Sequence, residues 1–373
     1  MQTSLPAVAK VLTRSELLDG LDVVSRLAEK QIHPAAMFQY GIPTAAAART
    51  TPEDFRLNLR AMEQFAVAVE AQGYNGYSGT LHALSTLSLT AGQLRASLNL
   101  ATRLAAREID PGQTLRAGLP PALQSSSQPG EIEANLAALE QFAVQVTERQ
   151  RNRPGNSGRN SPSWEQRNRY ADPPHNLLQA IPQSGLNSRQ YCASLDFVAR
   201  LAENGHANPA PLLQHGLLAA AKACATPEDF QANLNSLEQF LARMAERQIR
   251  NHHTLAPSFQ AAMSAQSRAE FELRLQTFDT LTARLEQQHM AAYAAPGLAE
   301  LTKQAIALKQ SYEDFELILY PAITSDYEDY DPYYGSRTST REDHHAWLEL
   351  RPVGRRLTPI PLALMGREQI ERL

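Results

Sequence analysis

Apolar residues between positions 51 and 72 recur with the spacing of one helix face. They lie three or four positions apart, at Phe55, Leu59, Met62, Phe65, Ala66 and Val69. Residues with this spacing share one side of an α-helix, so the pattern predicts an amphipathic helix that buries that side. The start is also marked, because Thr51 can cap the helix, Pro52 fits its first position and Asp54 stands where a capping box places an acid.

Nearly the same helix sequence occurs a second time further along the chain. The segment 226–248, TPEDFQANLNSLEQFLARMAERQ, nearly copies 51–72, TPEDFRLNLRAMEQFAVAVEAQ. Comparable starts, each with an apolar residue four positions on, occur at Thr13, Thr51, Thr90, Gln128, Asn187, Thr226, Ser267 and Ser311. Their spacing is about 38 to 44 residues, except for one step of about 59, which is typical of a helical repeat array with one insertion.

Each predicted long helix is followed by a loop and a second apolar segment, so each unit is predicted to be a helical hairpin. A single hairpin cannot bury its apolar stripe, and stacking of neighbours solves that problem. The predicted fold is therefore all-α: a right-handed superhelical α-solenoid of about seven hairpins of ~39 residues with an irregular C-terminal cap. The predicted divisions are N-terminal repeats, an Arg-rich inserted loop, C-terminal repeats, and a last helix with an acidic linker and extension: 1–148, 149–175, 176–310 and 311–373.

Two stretches carry a resemblance to known repeat families. ARMAERQIRNHHTLAPSFQAAM (242–263) resembles the passage between the two helices of pentatricopeptide repeats, and TPEDFRLNLRAMEQFA (51–66) is similar to a pattern of octotricopeptide repeats. The resemblance extends over most of 13–310 and implies single-stranded RNA as the ligand, read roughly one base per hairpin by side chains of the inner helices.

A row of small polar residues precedes the repeated leucine of each long helix. Its members are Asn58, Ser97, Asn135, Ser194 and Asn233, with Gly20 and Arg274 at the two ends. Such a row could hydrogen-bond bases or an extended peptide along the array. Asn58, however, falls inside the apolar stripe of its helix, which favours a buried structural role. Both interpretations stay open at this point.

Charged residues of alternating sign occupy matching or adjacent positions in successive units: Arg26, Glu63, Arg103, Glu140, Arg200 and Glu238. Stacking would bring them together as ion pairs between neighbouring hairpins. Exposed pairs contribute only about 0.2–1 kcal/mol each, so we expect them to set the register of the stack.

The insertion is rich in arginine and contains two aromatic residues. Its arginines are Arg149, Arg151, Arg153, Arg159, Arg167 and Arg169, interleaved with Trp164 and Tyr170. This composition suits phosphate binding and base stacking. The alternative is a solvated loop rich in Asn, Ser, Gly and Pro that only interrupts the array.

The C-terminal region departs from the repeat. DYEDYDPYYGSR (326–337) predicts an exposed acidic linker, and the three prolines at 352, 359 and 361 predict an extension with at most short strands or helices. EDHH at 342–345 offers two carboxylates and two imidazoles, but neighbouring side chains diverge, so we predict no metal there or at His252 and His253.

Composition excludes several function classes. The chain has 35 Lys and Arg against 39 Asp and Glu, so no global positive field favours nucleic acid or anionic lipid. The cysteines, Cys192 and Cys224, are too few for a disulfide scaffold and read as core residues. Neither a secretory signal nor a run of about 18 apolar residues occurs. We therefore expect a soluble protein without membrane contact, cytoplasmic at synthesis, with later export left open.

No nucleophile, phosphate-loop, dinucleotide or zinc-protease motif is found, so the sequence predicts no catalytic residues, no cofactor and no metal. The first functional hypothesis is a non-enzymatic scaffold that binds a partner protein or extended peptide in a concave groove, an architecture shared with bacterial effector proteins. The second is a modular single-stranded RNA-binding protein, as the resemblance implies. A third is an enzyme whose site lies in 311–373.

Overall fold

The structure is a computed structural model that describes residues 12–72, 76–152, 174–203, 210–247, 252–287, 298–311, 314–320, 323–331, 335–344 and 347–353. The chain divides into two compact units, Met1–Ala210 and Pro211–Leu373. All described elements from Arg14 to Ser311 are helical, which confirms the predicted helical class for this part of the chain.

The first unit consists of long and short helices in alternation. The long helices are α1 (Arg14–Glu29), α3 (Pro52–Glu70), α5 (Ala91–Ala106), α7 (Pro129–Asn152) and α9 (Ser188–Glu203). The shorter ones are α2 (Ile42–Ala47), which continues a π-helical turn at Met37–Gly41, then α4 (Tyr77–Ser85), α6 (Pro111–Gln124) and α8 (Pro174–Leu178). Helix α10 (Ala210–Lys222) begins at the boundary between the two units.

Seven of the eight predicted helix starts are confirmed. In each case a long helix begins one residue after the predicted capping position, at Arg14, Pro52, Ala91, Pro129, Ser188, Pro227 and Arg268. The caps form as the sequence predicts: the Thr51 hydroxyl accepts a hydrogen bond from the Asp54 amide at 3.1 Å. Thr226 and Asp229 form a complete capping box. These side chains thus accept hydrogen bonds from backbone amide groups that have no partner within the first helical turn.

The helices of the first unit pack in two rows. Along one row α1 contacts α3, α3 contacts α5, α5 contacts α7 and α7 contacts α9. Along the other, the π-helical turn contacts α4, α4 contacts α6 and α6 contacts α8. The apolar stripe of each long helix is consequently buried, as in α3, where Phe55, Leu59, Met62 and Phe65 line the interior.

Helices α1 and α5 end in the same way. Gln31 and Glu108, one residue beyond each C-cap, adopt left-handed backbone with φ of 61° and 58°. The next amides, those of Ile32 and Ile109, then donate to the carbonyls of Leu27 and Leu104 at 2.9 and 3.0 Å. This is the hydrogen-bond pattern of a Schellman cap. The likeness between alternate sequence units therefore extends to their backbone conformation.

The second unit continues with helices and ends in strands. Its helices are α11 (Pro227–Glu246), α12 (His252–Ala262), α13 (Arg268–Gln287) and α14 (Leu298–Ser311). Helix α13 contacts α11, α12 and α14, and α12 also contacts α14. The aromatic rings of Phe240, Phe259 and Phe278 meet in this core, with centroids 5.2 to 6.2 Å apart.

Four strands follow: β1 (Asp314–Tyr320), β2 (Ile323–Asp331), β3 (Gly335–His344) and β4 (Trp347–Val353). They form two antiparallel pairs, β1 with β4 and β2 with β3. Helix α14 contacts both β1 and β4. The described residues of the segment expected to be an acidic linker thus lie in β2 and β3, where Asp329 is opposite Arg337. The described part of the predicted extension, 347–353, is the short strand β4, in agreement with the expectation of at most short strands or helices.

The helix start predicted at Ser311 is wrong, because Ser311 ends α14 and the next described residues form β1. The sequence SYEDF resembles the other starts, but the segment FELILY that follows is, apart from Glu316, β-branched, aromatic or apolar without helical spacing. Pairing of Phe315 with Pro352 and of Leu317 with Leu350 supplies the ladder that fixes the strand. Tertiary pairing here overrides a local helix-capping signal.

Candidate functional site

The asparagines of the polar row lie inside the protein. Asn58, Asn135 and Asn233 are at most 1 % exposed. Each donates from its side-chain amide to a carbonyl thirteen residues earlier: Ala45 at 3.4 Å, Ala122 at 2.9 Å and Ala220 at 3.0 Å. All three carbonyls belong to the last turn of the preceding short helix, where carbonyls lack partners within the helix. The asparagines therefore cap the C-termini of the short helices.

Asn135 has the most extensive contacts of the row. Its amide nitrogen also lies 2.9 and 2.8 Å from the hydroxyls of Ser125 and Ser126. Its carbonyl oxygen accepts a hydrogen bond from the Ser188 hydroxyl at 2.7 Å. Asn58 has a similar arrangement, since Arg95 donates to its oxygen at 3.1 Å. Each of these two asparagines thus joins a short helix, its own long helix and the next long helix.

Ser97 and Ser194 are buried as well, and Arg274 at the end of the row is half-buried. The Ser194 hydroxyl donates to the carbonyl of Gln190 at 2.7 Å, while the Ser97 hydroxyl has no hydrogen-bond partner among the described residues. Arg274 reaches the carbonyl of Ala262 at 3.0 Å, which is the same kind of contact as the asparagines make. The asparagines and serines of the row consequently offer no accessible surface to bases or to a peptide. For these five residues the geometry corrects the hypothesis of a ligand-reading ladder in favour of the buried structural role.

Two of the predicted ion pairs between neighbouring long helices are confirmed. Arg26 approaches Glu63 at 2.8 Å, and Arg103 approaches Glu140 at 2.8 Å. Hydrogen bonds from Arg26, assisted by its charge, hold the pKa of Glu63 below its usual value despite the opposing effect of burial. These pairs join α1 to α3 and α5 to α7, so they align neighbouring long helices.

Most of the predicted arginine-rich site lies outside the described residues, namely Arg153, Arg159, Trp164, Arg167, Arg169 and Tyr170. Helix α7 extends through Arg151 to Asn152, so the first residues of the predicted loop are helical. Arg151 donates to the carbonyl of Arg107 at 3.0 Å and pairs with Glu108 at 2.9 Å, and Arg149 donates to the carbonyl of Ala199 at 3.2 Å. Both arginines are thus used to attach α7 to neighbouring segments.

The residues one position before each member of the polar row form a surface that the sequence pattern alone did not indicate. In α3, α5, α7 and α9 it carries apolar residues that are exposed or half-buried: Leu57, Ala96, Ala134 and Ala193. We call this set the outer stripe. The sequence already contains these apolar residues next to the polar row. Only their solvent exposure in the structure distinguishes the outer stripe from the buried polar row.

Three of the arginines close to the outer stripe are engaged in ion pairs. Arg56 is 2.9 Å from Asp19, Arg95 is 3.5 Å from Asp54, and Arg103 is paired with Glu140. Hydrogen bonds from Thr50, Thr51 and Arg95 outweigh desolvation and keep the pKa of Asp54 below its usual value, so it is ionised near neutrality. The outer stripe is therefore apolar, and its flanks present charges of both signs.

Within the described ranges, no group of three or more His, Cys, Asp or Glu side chains is placed to hold a metal ion. His252 and His253 begin α12, and Glu342, Asp343 and His344 belong to β3. Both cysteines are free thiols and half-buried, so they are more exposed than the core positions predicted for them; burial raises the pKa of Cys192. None of the described helices combines the length and the hydropathy needed to cross a bilayer.

Comparison of the chain with protein-family models, with curated proteins and with solved structures found no match in any of the three.

Proposed function

We propose that the protein is a helical-repeat scaffold of the α-solenoid kind that binds a partner protein, and that the outer stripe is part of its binding surface. The observation that carries the proposal is the recurrence of Leu57, Ala96, Ala134 and Ala193 on four successive, mutually contacting helices. Their repetition creates an extended apolar strip within the first unit rather than one isolated residue.

The chemistry of the outer stripe favours a protein as the ligand over a polyanion such as a nucleic acid. Alanine side chains let the backbone of a partner helix or strand approach closely, and apolar area provides the favourable free energy. Binding of nucleic acid relies on cations that neutralise phosphates. Arg56, Arg95 and Arg103 already pair with carboxylates of the same surface.

The proposal can be tested by photo-cross-linking. A benzophenone amino acid is placed at Ala96 or at Ala134, with Ala47 as the matched control, since Ala47 is an exposed alanine at the end of the short helix α2. Adducts with one protein species are expected from positions 96 and 134 and none from position 47. Equal labelling from all three positions would contradict a binding surface at the outer stripe.

Single-stranded RNA is the alternative that the repeat resemblance implies. It is tested by fluorescence anisotropy with a random RNA pool across a range of salt concentrations, using the full chain and a variant that lacks 153–173. The protein scaffold predicts no RNA binding that survives this deletion. Tight, strongly salt-dependent binding by the deletion variant would overturn the proposal in favour of RNA.

A further inference from the structure

Helix α1, the first described long helix of its row, carries an exposed apolar face. Leu18 and Leu21 are 57 % and 38 % exposed, and with Leu57 they are the large hydrophobic side chains exposed among the described residues. The repeat alignment makes Leu21 unusual. Residues at the same repeat position in the later long helices are 0 to 3 % exposed: Leu59, Leu98, Leu136, Leu195, Leu234 and Leu275. At Leu21 the fold therefore exposes a surface that the repeat otherwise buries.

The exposed face has the spacing of a helix-packing seam. Its members recur at alternating intervals of four and three residues: Arg14, Leu18, Leu21, Ser25 and Ala28, all exposed. This seam is the side of α1 that does not face α3, since Asp19 and Arg26 make the contacts with Arg56 and Glu63. Sequences with this periodicity pack against another helix through interlocking side chains.

Charges on the seam indicate which helix fits. The cation Arg14 lies at the N-terminal end, and the exposed acids Asp22 and Glu29 lie toward the C-terminal end. Asp22 is also in contact with Arg26 of the same helix. A parallel partner of the same sequence would place like charges side by side. An antiparallel copy would place each Arg14 beside the acids of the other helix.

We propose that two copies of this chain associate through α1, antiparallel and related by a two-fold axis. Leu18 of each copy packs against Leu21 of the other, which buries four leucines at the centre. Arg14 of each copy then lies beside Asp22 and Glu29 of the other. A single helix pair with four central leucines is small beside stable interfaces, which bury about 1,200–2,000 Å². The dimer is accordingly weak, with dissociation in the micromolar range.

Sedimentation equilibrium of the full chain tests the dimer. The wild type is expected to show a reversible monomer–dimer equilibrium between about 1 and 100 µM. The double variant Leu18→Glu/Leu21→Glu is expected to stay monomeric throughout. Leu57→Glu is the matched control, because it charges an equally exposed leucine outside the seam, and it is expected to retain the dimer.

A charge exchange tests the antiparallel arrangement independently of folding. Arg14→Glu alone and Glu29→Arg alone should each weaken self-association by about 10-fold, through loss of two pairs and gain of like-charge contacts. A mixture of the two variants should recover most of the wild-type affinity, because positions 14 and 29 again carry opposite charges at both sites of the mixed dimer. Loss of affinity in each single variant together with recovery in the mixture requires that positions 14 and 29 meet across the interface. In a parallel dimer each position would meet its own copy, so the single variants would associate as the wild type does and the mixture would exceed it.

Four results would overturn the proposal: a wild type that is monomeric at all concentrations, a dimer that survives Leu18→Glu/Leu21→Glu, single charge variants that associate as tightly as the wild type, or a mixture that associates no better than its components. A monomeric wild type whose stability falls on Leu18→Glu/Leu21→Glu would assign the cover of this face to another segment of the same chain. Photo-cross-linking at the outer stripe is unaffected by any of these outcomes, so the proposed function is tested separately.

Discussion

The asparagines of the polar row combine two requirements in one side chain. An amide group donates to the last turn of a short helix, and its oxygen accepts from the next long helix, as Asn135 does with Ala122 and Ser188. Serine can meet only part of this requirement, since the Ser194 hydroxyl bonds within its own helix. Residues that look like a recognition code in the sequence are therefore explained by the need to pair buried carbonyls.

Replacement of Asn135 by Ala is expected to lower the free energy of unfolding by about 2–4 kcal/mol, because the Ala122 carbonyl and the Ser188 hydroxyl lose a buried partner. Chemical denaturation followed by circular dichroism measures the change. Glu133→Ala, on the exposed side of the same helix, is the matched control and should change stability by less than about 0.5 kcal/mol. Equal effects of the two substitutions would contradict the bridging role of Asn135.

At the scale of elements, the first hairpin is closed by an ion pair between the buried Glu16 and the half-buried Arg49. Glu16 completes the capping box of α1 and is 2.8 Å from Arg49, which follows α2. Arg49 also donates to the carbonyl of Ala46 at 2.6 Å and lies 5.9 Å from the ring of Phe55 in α3. One guanidinium therefore connects three helices. Burial acts to raise the pKa of Glu16, but hydrogen bonds from Thr13 and the charge of Arg49 outweigh it, so the pKa is lowered.

This pKa shift predicts how stability depends on pH. A carboxylate whose folded-state pKa is lowered stabilises the fold above its ordinary pKa of 4.5, and that contribution is lost as the pH falls through the folded-state value. The stability difference between the wild type and Glu16→Gln should therefore be largest near neutrality and shrink in acid. Denaturation from about pH 3 to pH 7 measures it. In an Arg49→Met background the difference should be smaller, and a pH-independent difference would contradict the assignment.

Local signals explain which elements the sequence predicts correctly. Capping residues such as Thr13, Thr51 and Thr226 act within one helical turn, so seven helix starts can be read directly from the chain. The start at Ser311 fails because pairing of β1 with β4, some 30 residues apart, decides the conformation there. For the same reason the sequence left open whether the polar row is buried or exposed. Asn58 lies at the edge of an apolar stripe, and the residues that pack against this stripe are distant in sequence.

At the scale of the whole molecule, stability should be distributed through nearest neighbours. In the first unit, α3, α5 and α7 each contact the long helix before and the long helix after them, and the second unit has its own core around Phe240, Phe259 and Phe278. In the helical-repeat array that we propose, stability is approximately the sum of terms within units and between adjacent units. A destabilising substitution should therefore lower the local stability of the adjacent helices as well, and this effect should decrease with distance along the chain.

Leu98→Ala tests this expectation, with Leu234→Ala as the matched control at the same repeat position of the second unit. Both leucines are at most 1 % exposed, and each substitution should cost about 2–5 kcal/mol. By hydrogen exchange with mass spectrometry, Leu98→Ala should raise exchange most in α3, α5 and α7, whereas Leu234→Ala should do so in α11 and α13. Because exchange reports the free energy of local opening, the gradient measures how far stability is shared. A uniform rise over both units in either variant would instead show that the chain unfolds as one cooperative body.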